Sequence, residues 1–175
     1  AYMWLPATGL AAGVVATVDN DEYTSVQQAI DNANGKTVVL VDDVTESITI
    51  PKSHSVTLDL GGFTLTNQTG QHTITNNRTL TIQGSGTVDN ISHAKGALVN
   101  NAGASVEIKG GTLTRSQEKG NAPNSSGGNS WYVVDNHAVM TVNGGTIINT
   151  SGFSSLIRNL GGTFNMVSGT LENTF

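Results

Sequence analysis

Cysteine is absent from this sequence of 175 residues, and charged side chains are scarce. Without cysteine, the chain can form neither a disulfide framework nor a thiolate metal site. Charged residues make up 12% of the chain, against roughly 25% in typical globular domains. The formal net charge is −5, and lysine and arginine do not cluster. Because nucleic-acid binding needs a basic face, this composition argues against a nucleic-acid partner.

Long apolar runs are also missing. Residues 1–16 are uncharged and largely apolar, but they are too few to span a bilayer, so no membrane span is expected in the mature chain. They include Leu5–Gly9, which matches the LPxTG pattern of cell-wall sorting signals, but its N-terminal position argues against that role. We interpret residues 1–13 as a signal-peptide remnant or an N-terminal tail, with an ordinary first strand as the alternative.

Glycine, threonine, asparagine and serine take the place of the missing charges. The chain has 21 glycines, while apolar residues make up 37% and aromatic residues 5%. Glycine and asparagine tolerate the positive φ angles of tight turns, and threonine fits a pleated surface. This composition predicts many short strands joined by tight turns.

A short motif recurs, consisting of an apolar residue, a glycine turn and a threonine. Its threonines lie 23, 25, 34 and 24 residues apart, and they are Thr64, Thr87, Thr112, Thr146 and Thr170. The next residue is apolar in all five copies, and asparagine follows three positions after the threonine in four of them. A period near 24 predicts a repeat architecture. Stacked at about 4.8 Å per coil, the copies predict an aliphatic stripe, a threonine row and an asparagine ladder.

Each repeat contains a further strand-like stretch. These stretches begin at His72, Gly96, Trp131 and Ser155, and asparagine follows each of them. Several strands per period favour a three-sided solenoid over a flat sandwich.

Four segments carry a resemblance to a known family. They are Ala16–Asp19 through Tyr23–Ile30, Thr37–Val44, Ile48–Pro51 and Val56–Gly62. Together they resemble the start of the right-handed parallel β-helix domains of secreted and cell-surface proteins from Gram-positive gut-type bacteria, which resemble the pectate-lyase-like superfamily in fold. The resemblance implies an all-β domain over residues 14–175, a right-handed parallel β-helix with about 24 residues per coil.

One helix is predicted, over residues 25–33. Ser25 is a suitable N-cap, with Gln28 three positions later to complete a capping box. Val26, Ala29, Ile30 and Ala33 form an apolar stripe. The first coil of a solenoid would expose its apolar interior and open strand edges, so this helix is expected to cap it.

The 34-residue interval contains a predicted loop insertion at residues 116–130. Insertions in repeat proteins map to loops on one face, often the binding face. We therefore take Glu118 and Lys119 in the loop, with Trp131 and Tyr132 directly after it, as the candidate ligand-binding residues. Exposed aromatic rings stack on sugar faces. The alternative is structural, with one ring filling the core and the other packing under the loop.

No catalytic residue, metal site or cofactor is predicted. Glycoside hydrolysis needs two carboxyl groups about 5–9.5 Å apart, and the acids in strand-like stretches show no shared position in the repeat. They are Asp42, Asp43, Asp59, Asp89, Glu107, Asp135 and Glu172. The histidines are equally scattered, whereas zinc ligands converge on one ion. They are His54, His72, His93 and His137.

The sequence favours a non-catalytic module of a secreted or cell-surface bacterial protein. It would act as a spacer or adhesin, with a glycan or a host surface protein as partner. The alternative is a fragment of a carbohydrate-active enzyme, a polysaccharide lyase or glycoside hydrolase, whose catalytic coils follow residue 175. A further hypothesis is end-to-end self-association.

Overall fold

The computed structural model describes residues 9–92, 95–117, 132–149 and 155–174. Its elements in chain order are β1 (Ala16–Val18), β2 (Asp21–Tyr23), α1 (Val26–Asp31), β3 (Lys36–Leu40), β4 (Val44–Thr45), β5 (Ile48–Ile50), β6 (Ser55–Asp59), β7 (Thr64–Asn67), β8 (Ile74–Asn76), β9 (Thr79–Gln83), β10 (Thr87–Asn90), β11 (Leu98–Asn100), β12 (Ser105–Ile108), β13 (Thr112–Thr114), β14 (Val134–Asn136), β15 (Val139–Asn149), β16 (Ile157–Asn159) and β17 (Thr163–Asn173). Among the described residues, no helix is long and apolar enough to cross a membrane.

The strands form a parallel β-solenoid of about five turns with about 24 residues per turn. Each turn contributes to three parallel stacks. Face 1 contains β3, β6, β9, β12 and the first halves of β15 and β17. Face 2 contains β4, β7, β10, β13 and the second halves of β15 and β17. Face 3 contains β5, β8, β11, β14 and β16. The predicted three strands per coil are confirmed.

The predicted repeat phase is confirmed on face 2, where the five motif threonines lie directly opposite one another in successive strands. The residue after each threonine points into the core. In the inner coils these side chains are fully buried, and they are Leu65, Val88, Leu113 and Ile147. Their alternation with half-buried residues is the period-two pattern of a strand with one face turned inward.

The glycine turns join face 1 to face 2 where successive coils approach closely. A Cβ on Gly86 would lie 2.4 Å from the carbonyl oxygen of Phe63, and one on Gly144 would lie 2.2 Å from that of Lys109. Both glycines also have positive φ angles. A side chain here would clash with the backbone of the preceding coil, so these glycines are needed for stacking as well as for turning.

Two sets of asparagines follow different bonding patterns. The predicted ladder on face 2 includes Asn67 and Asn90, which lie opposite each other in neighbouring strands. Their side chains bond to the backbone of a turn rather than to each other. Both side-chain amides donate to the Gln71 carbonyl, at 2.5 and 2.7 Å. The direct side-chain ladder lies on face 3, where each amide donates to the next asparagine at 2.7–2.9 Å. Its members are Asn76, Asn100, Asn136 and Asn159.

The N-terminal end of the solenoid is capped, as predicted. Helix α1 buries Val26, Ala29 and Ile30 completely, and β1 pairs antiparallel with the outer edge of β3. Ser25 is the N-cap and accepts from the Gln28 amide at 3.3 Å. The helix ends at Asp31, two residues earlier than predicted.

A carboxylate from the first coil completes this cap. Glu46 accepts from the backbone amides of Val26 and Gln27 at 3.0 and 2.7 Å and from the Ser25 hydroxyl at 3.2 Å. The Gln27 side chain bonds both backbone groups of Thr49 in β5, donating to its oxygen and accepting from its nitrogen. An amide side chain thus takes the place of a neighbouring strand at this sheet edge.

The opposite end is open among the residues that the structure describes. Strand β17 pairs with β15 alone, and β16 pairs with β14 alone. Met166 and Leu171 are 44% and 39% exposed, although they lie opposite the fully buried Val142 and Ile147. A depression of about 420 Å³ at this end is lined by Leu156, Ile157, Asn159, Phe164 and Leu171.

Candidate functional site

One of the four candidate ligand-binding residues can be placed. Tyr132 lies just before β14 on face 3 and is half-buried. Glu118, Lys119 and Trp131 lie outside the described residues, as does most of the loop at 116–130. The site is therefore built from Tyr132 and its neighbours.

Tyr132 belongs to a group of four side chains, the Tyr132 cluster, which also contains Asp135, His137 and Arg158. The Arg158 guanidinium lies over the Tyr132 ring, 4.9 Å from its centroid. The same guanidinium binds Asp135 through two hydrogen bonds, from Nε at 2.8 Å and from Nη2 at 2.7 Å. His137 Nε2 lies 3.1 Å from Asp135 Oδ1. One carboxylate thus fixes an arginine and a histidine beside an aromatic ring.

The solenoid register creates this cluster. Asp135 in β14 lies directly opposite Arg158 in β16, one coil later. Both occupy the middle position of a three-residue strand, so their side chains project from the same side of face 3. The fork of a guanidinium matches a carboxylate in two places, which orients the arginine plane.

The electrostatics stabilise the charged form of Asp135. Burial alone would raise the pKa of this carboxyl, whose side chain is only 4% exposed. Hydrogen bonds from Arg158 and His137, and the charges of both, outweigh burial and hold the pKa of Asp135 below its ordinary value. The hydrogen bond to Asp135 in turn raises the pKa of Arg158. Arg158 therefore stays cationic, with 34% of its side chain exposed.

This arrangement suits binding better than acid–base catalysis. A general acid needs a raised pKa and access to substrate, whereas Asp135 is buried with its pKa lowered. Within the described part of the chain, the groups bonded to its carboxylate belong to Arg158 and His137, and no second carboxylate is among them. The partly exposed side chains of the cluster are those of Tyr132, His137 and Arg158, with 27% of His137 and 34% of Arg158 exposed.

The pair of Asp135 and Arg158 was missed by reasoning from the sequence. Asp135 is one of the acids in strand-like stretches, but no sequence motif connects it to Arg158. The available signal was their separation of 23 residues, which is one coil of the repeat. Comparing charged residues one period apart would have found the pair.

His72 lies near the cluster but has a different environment. Burial lowers its pKa to about 4, and the positive charge of Lys95 acts in the same direction, whereas Asp135 opposes them. Its Nδ1 accepts from the backbone amide of Gly96 at 3.1 Å. A neutral ring that accepts from the next coil indicates a structural role.

A second concave surface lies on face 1. A groove of about 260 Å³ is lined by hydroxyl groups of adjacent coils, with Lys36 among its lining residues. Its hydroxyl-bearing residues are Thr37, Ser55, Thr57, Thr79 and Thr81. Lys36 forms an ion pair with Asp19 at 3.0 Å. The groove lining offers hydrogen bonds but includes no aromatic ring, which distinguishes it from the Tyr132 cluster.

No group of three or more histidine, cysteine, aspartate or glutamate side chains suited to a metal ion occurs within the described ranges. The fold places the chain among parallel β-solenoid proteins. No protein-family model matches the chain, and neither curated proteins nor solved structures give a significant match. The fold class therefore rests on the strand register alone.

Proposed function

We propose that this chain is a non-catalytic solenoid module of an extracellular bacterial surface protein, a spacer that displays a glycan-binding site at the Tyr132 cluster. The single observation that carries the binding site is the Tyr132 ring held against an arginine that a buried carboxylate fixes. A preorganised aromatic and cationic surface lowers the entropic cost of binding. Arg158 keeps its charge and orientation in the free protein, so a sugar carboxylate would meet a cation already in place.

The spacer role is supported by the shape of the fold. Parallel coils stacked at about 4.8 Å make a rod whose length grows with each repeat. Each coil mainly contacts its neighbours, so the module can hold its two ends apart without any catalytic or binding site. Extracellular location is supported by the family resemblance and by the apolar N-terminal residues.

The enzyme alternative receives less support from the geometry. Its best candidate acid, Asp135, is engaged by Arg158 and His137. We expect no release of reducing ends when the protein is incubated with neutral polysaccharides and polyuronates. Release by the wild type that disappears in Asp135→Asn would favour the enzyme and contradict the non-catalytic proposal.

A glycan array followed by titration calorimetry tests the binding site. The wild type should bind at least one glycan, and Tyr132→Ala should weaken that binding about tenfold or more, because aromatic contact is lost. Tyr132→Phe keeps the ring and removes the hydroxyl, so it should retain most of the affinity. Trp131→Ala tests the neighbouring candidate residue in the same assay.

Thr57→Ala is the matched control, because it removes a hydroxyl from the groove on face 1 and leaves the Tyr132 cluster intact. It should bind like the wild type. Loss of binding in Thr57→Ala with normal binding in Tyr132→Ala would move the glycan site to face 1. The absence of any array hit for the wild type would remove the glycan proposal altogether.

A further inference from the structure

We propose that Asn143 is a site of spontaneous deamidation, at which the backbone nitrogen of Gly144 displaces the side-chain amide as ammonia. An asparagine followed by glycine is the pair most prone to this reaction, because glycine has no Cβ to hinder the attack. The chain contains two such pairs, Asn34–Gly35 and Asn143–Gly144. Both asparagines are exposed, so the structure around each pair decides which one reacts. The inference is independent of the Tyr132 cluster, which contains neither pair.

The reaction needs solvent water and no other reagent. The Gly144 nitrogen gives up its proton and forms a bond to Cγ of Asn143, while the bond from Cγ to Nδ2 breaks and ammonia leaves with that proton. The product is a cyclic imide. Water then opens one of its carbonyl groups, which gives either aspartate or isoaspartate at this position. In isoaspartate the main chain runs through the former side chain and is longer by a methylene group.

The Asn34–Gly35 pair is held by a residue of the next coil. Ser55 donates its backbone amide to Oδ1 of Asn34 at 2.9 Å, and its carbonyl accepts from the Gly35 amide at 2.7 Å. The first bond fixes the side chain towards Ser55, and the second engages the nitrogen that would attack. Both bonds must open before the reaction can begin, so the folded state protects Asn34.

The Asn143–Gly144 pair lies in the turn that joins face 1 to face 2. Pairing of β15 with the preceding coil stops at Val142 and resumes at Thr146. In the following coil Asn143 is aligned with Ser168, and the register shifts on both sides of it. In the described strands of the two neighbouring coils, Gly144 therefore has no partner in the register. The attacking nitrogen lies where the strand ladder is interrupted.

The side chain of Asn143 is held weakly. Its Oδ1 accepts from the Ser168 hydroxyl at 3.3 Å, whereas O–H···O hydrogen bonds are usually about 2.7–2.8 Å long. Both side chains are exposed, so water can replace this bond at little cost in free energy. Asn143 can thus rotate towards the Gly144 nitrogen without first breaking a strong contact.

An isoaspartate at this turn would disturb the stacking of the coils. A Cβ on Gly144 would collide with the Lys109 carbonyl of the preceding coil, and one on Gly145 would lie 2.7 Å from the Gly111 oxygen. The backbones are therefore too close for an added methylene group, which must separate the coils or distort the turn. Aspartate keeps the length of the main chain and adds a charge at an exposed position. The isoaspartyl form is accordingly the less stable of the two products.

Peptide mapping by mass spectrometry tests the proposal on the whole 175-residue chain, aged in mildly alkaline buffer. In the folded chain Asn143 should deamidate at least about tenfold faster than Asn34. In guanidinium chloride the two rates should agree within about threefold, because the protection by Ser55 is lost. The unfolded chain is thus the matched control for any effect of the flanking sequence. Asn143→Gln should lose the product at this position, while Asn34 reacts as in the wild type.

Separation of the aged forms by chromatography measures the consequence for the fold. The isoaspartyl form should unfold at a lower denaturant concentration than the fresh wild type, whereas Asn143→Asp should unfold like the fresh wild type. Equal rates at the two asparagines of the folded chain, or a faster reaction at Asn34, would overturn the proposal. So would an intact Asn143 in the folded chain when the unfolded chain is fully converted. An isoaspartyl form as stable as the fresh wild type would overturn the effect on coil stacking.

Discussion

The two ends of this solenoid are made of similar residues and have opposite environments. At the N-terminal end Ile30 is fully buried. At the C-terminal end Leu171 repeats the position of Ile147 one coil later, yet 39% of it is exposed, whereas Ile147 is fully buried. Burial of a core position therefore depends on whether another layer follows, rather than on the sequence of the coil itself.

The two ends also differ in how the unpaired backbone groups of their sheet edges are satisfied. The capped end uses side chains, since Gln27 bonds the Thr49 backbone and Glu46 accepts from the helix amides. The open end leaves the outer backbone groups of β17 to solvent or to a partner. In a repeat fold each coil stabilises its neighbours, so the contribution of a residue should fall from the capped end and the interior towards the open end.

The largest contrast is expected between apolar truncations at the two ends. Ile30→Ala should destabilise the fold by about 2–5 kcal/mol, because it leaves a cavity under the helix. Leu171→Ala should cost about 1 kcal/mol or less, since its side chain is already partly in water. Urea denaturation measures both free energies of unfolding. Equal losses would show that the open end is as well packed as the cap.

A second contrast lies along the face 3 asparagine ladder. Asn100 donates to Asn136 and to the Val139 carbonyl, both at 2.9 Å, and accepts from Asn76. Asn100→Ala would leave these buried groups unsatisfied and should cost about 1–3 kcal/mol. Asn159 is the exposed last member of the ladder, and Asn159→Ala should cost about 0.5 kcal/mol. Thermal unfolding of both variants checks the order, and a larger loss at Asn159 would contradict it.

The fold was largely predictable because its signal repeats. The motif threonines marked the coil phase, and the structure lays them opposite one another on face 2. The third strand of each coil was placed less well, since β8 begins at Ile74 rather than at His72. A shift in strand start changes which asparagines face each other, so the direct ladder could not be assigned from sequence alone.

Contacts between coils were harder to predict than the coils themselves. Glu46 caps a helix 20 residues earlier in the chain, and no local pattern links it to Ser25, whereas Gln28 fits the familiar capping-box spacing. Tyr132 was singled out by its place after the predicted loop. Its partner Arg158 was not, because their contact depends on the strand register of β14 and β16.

A smaller effect is expected at the carboxylate of the cap. Glu46→Ala removes the acceptor for two helix amides and one hydroxyl, and it should cost about 1 kcal/mol. Hydrogen exchange should accelerate at the amides of Val26 and Gln27 and stay unchanged in β17. Glu22→Ala is the control, because Glu22 is exposed and accepts one bond from Ala11. Unchanged exchange in α1 would show that Glu46 does not hold the cap.

The last prediction concerns acid, and it tests His72, a residue inside the stack rather than at either end. His72 has its pKa lowered from 6.5 to about 4 by burial and by the charge of Lys95. The unfolded chain therefore binds a proton more readily, so the stabilising contribution of neutral His72 is complete above pH 6.5 and is lost as the pH falls towards 4. His72→Gln keeps an acceptor for Gly96, and its melting temperature should decline less than that of the wild type over this window. Gln71→Ala, which changes the neighbouring side chain and keeps His72, should follow the wild type. If the melting temperatures of His72→Gln and the wild type fall equally between pH 6.5 and 4, proton binding at His72 does not contribute to the acid sensitivity of the fold.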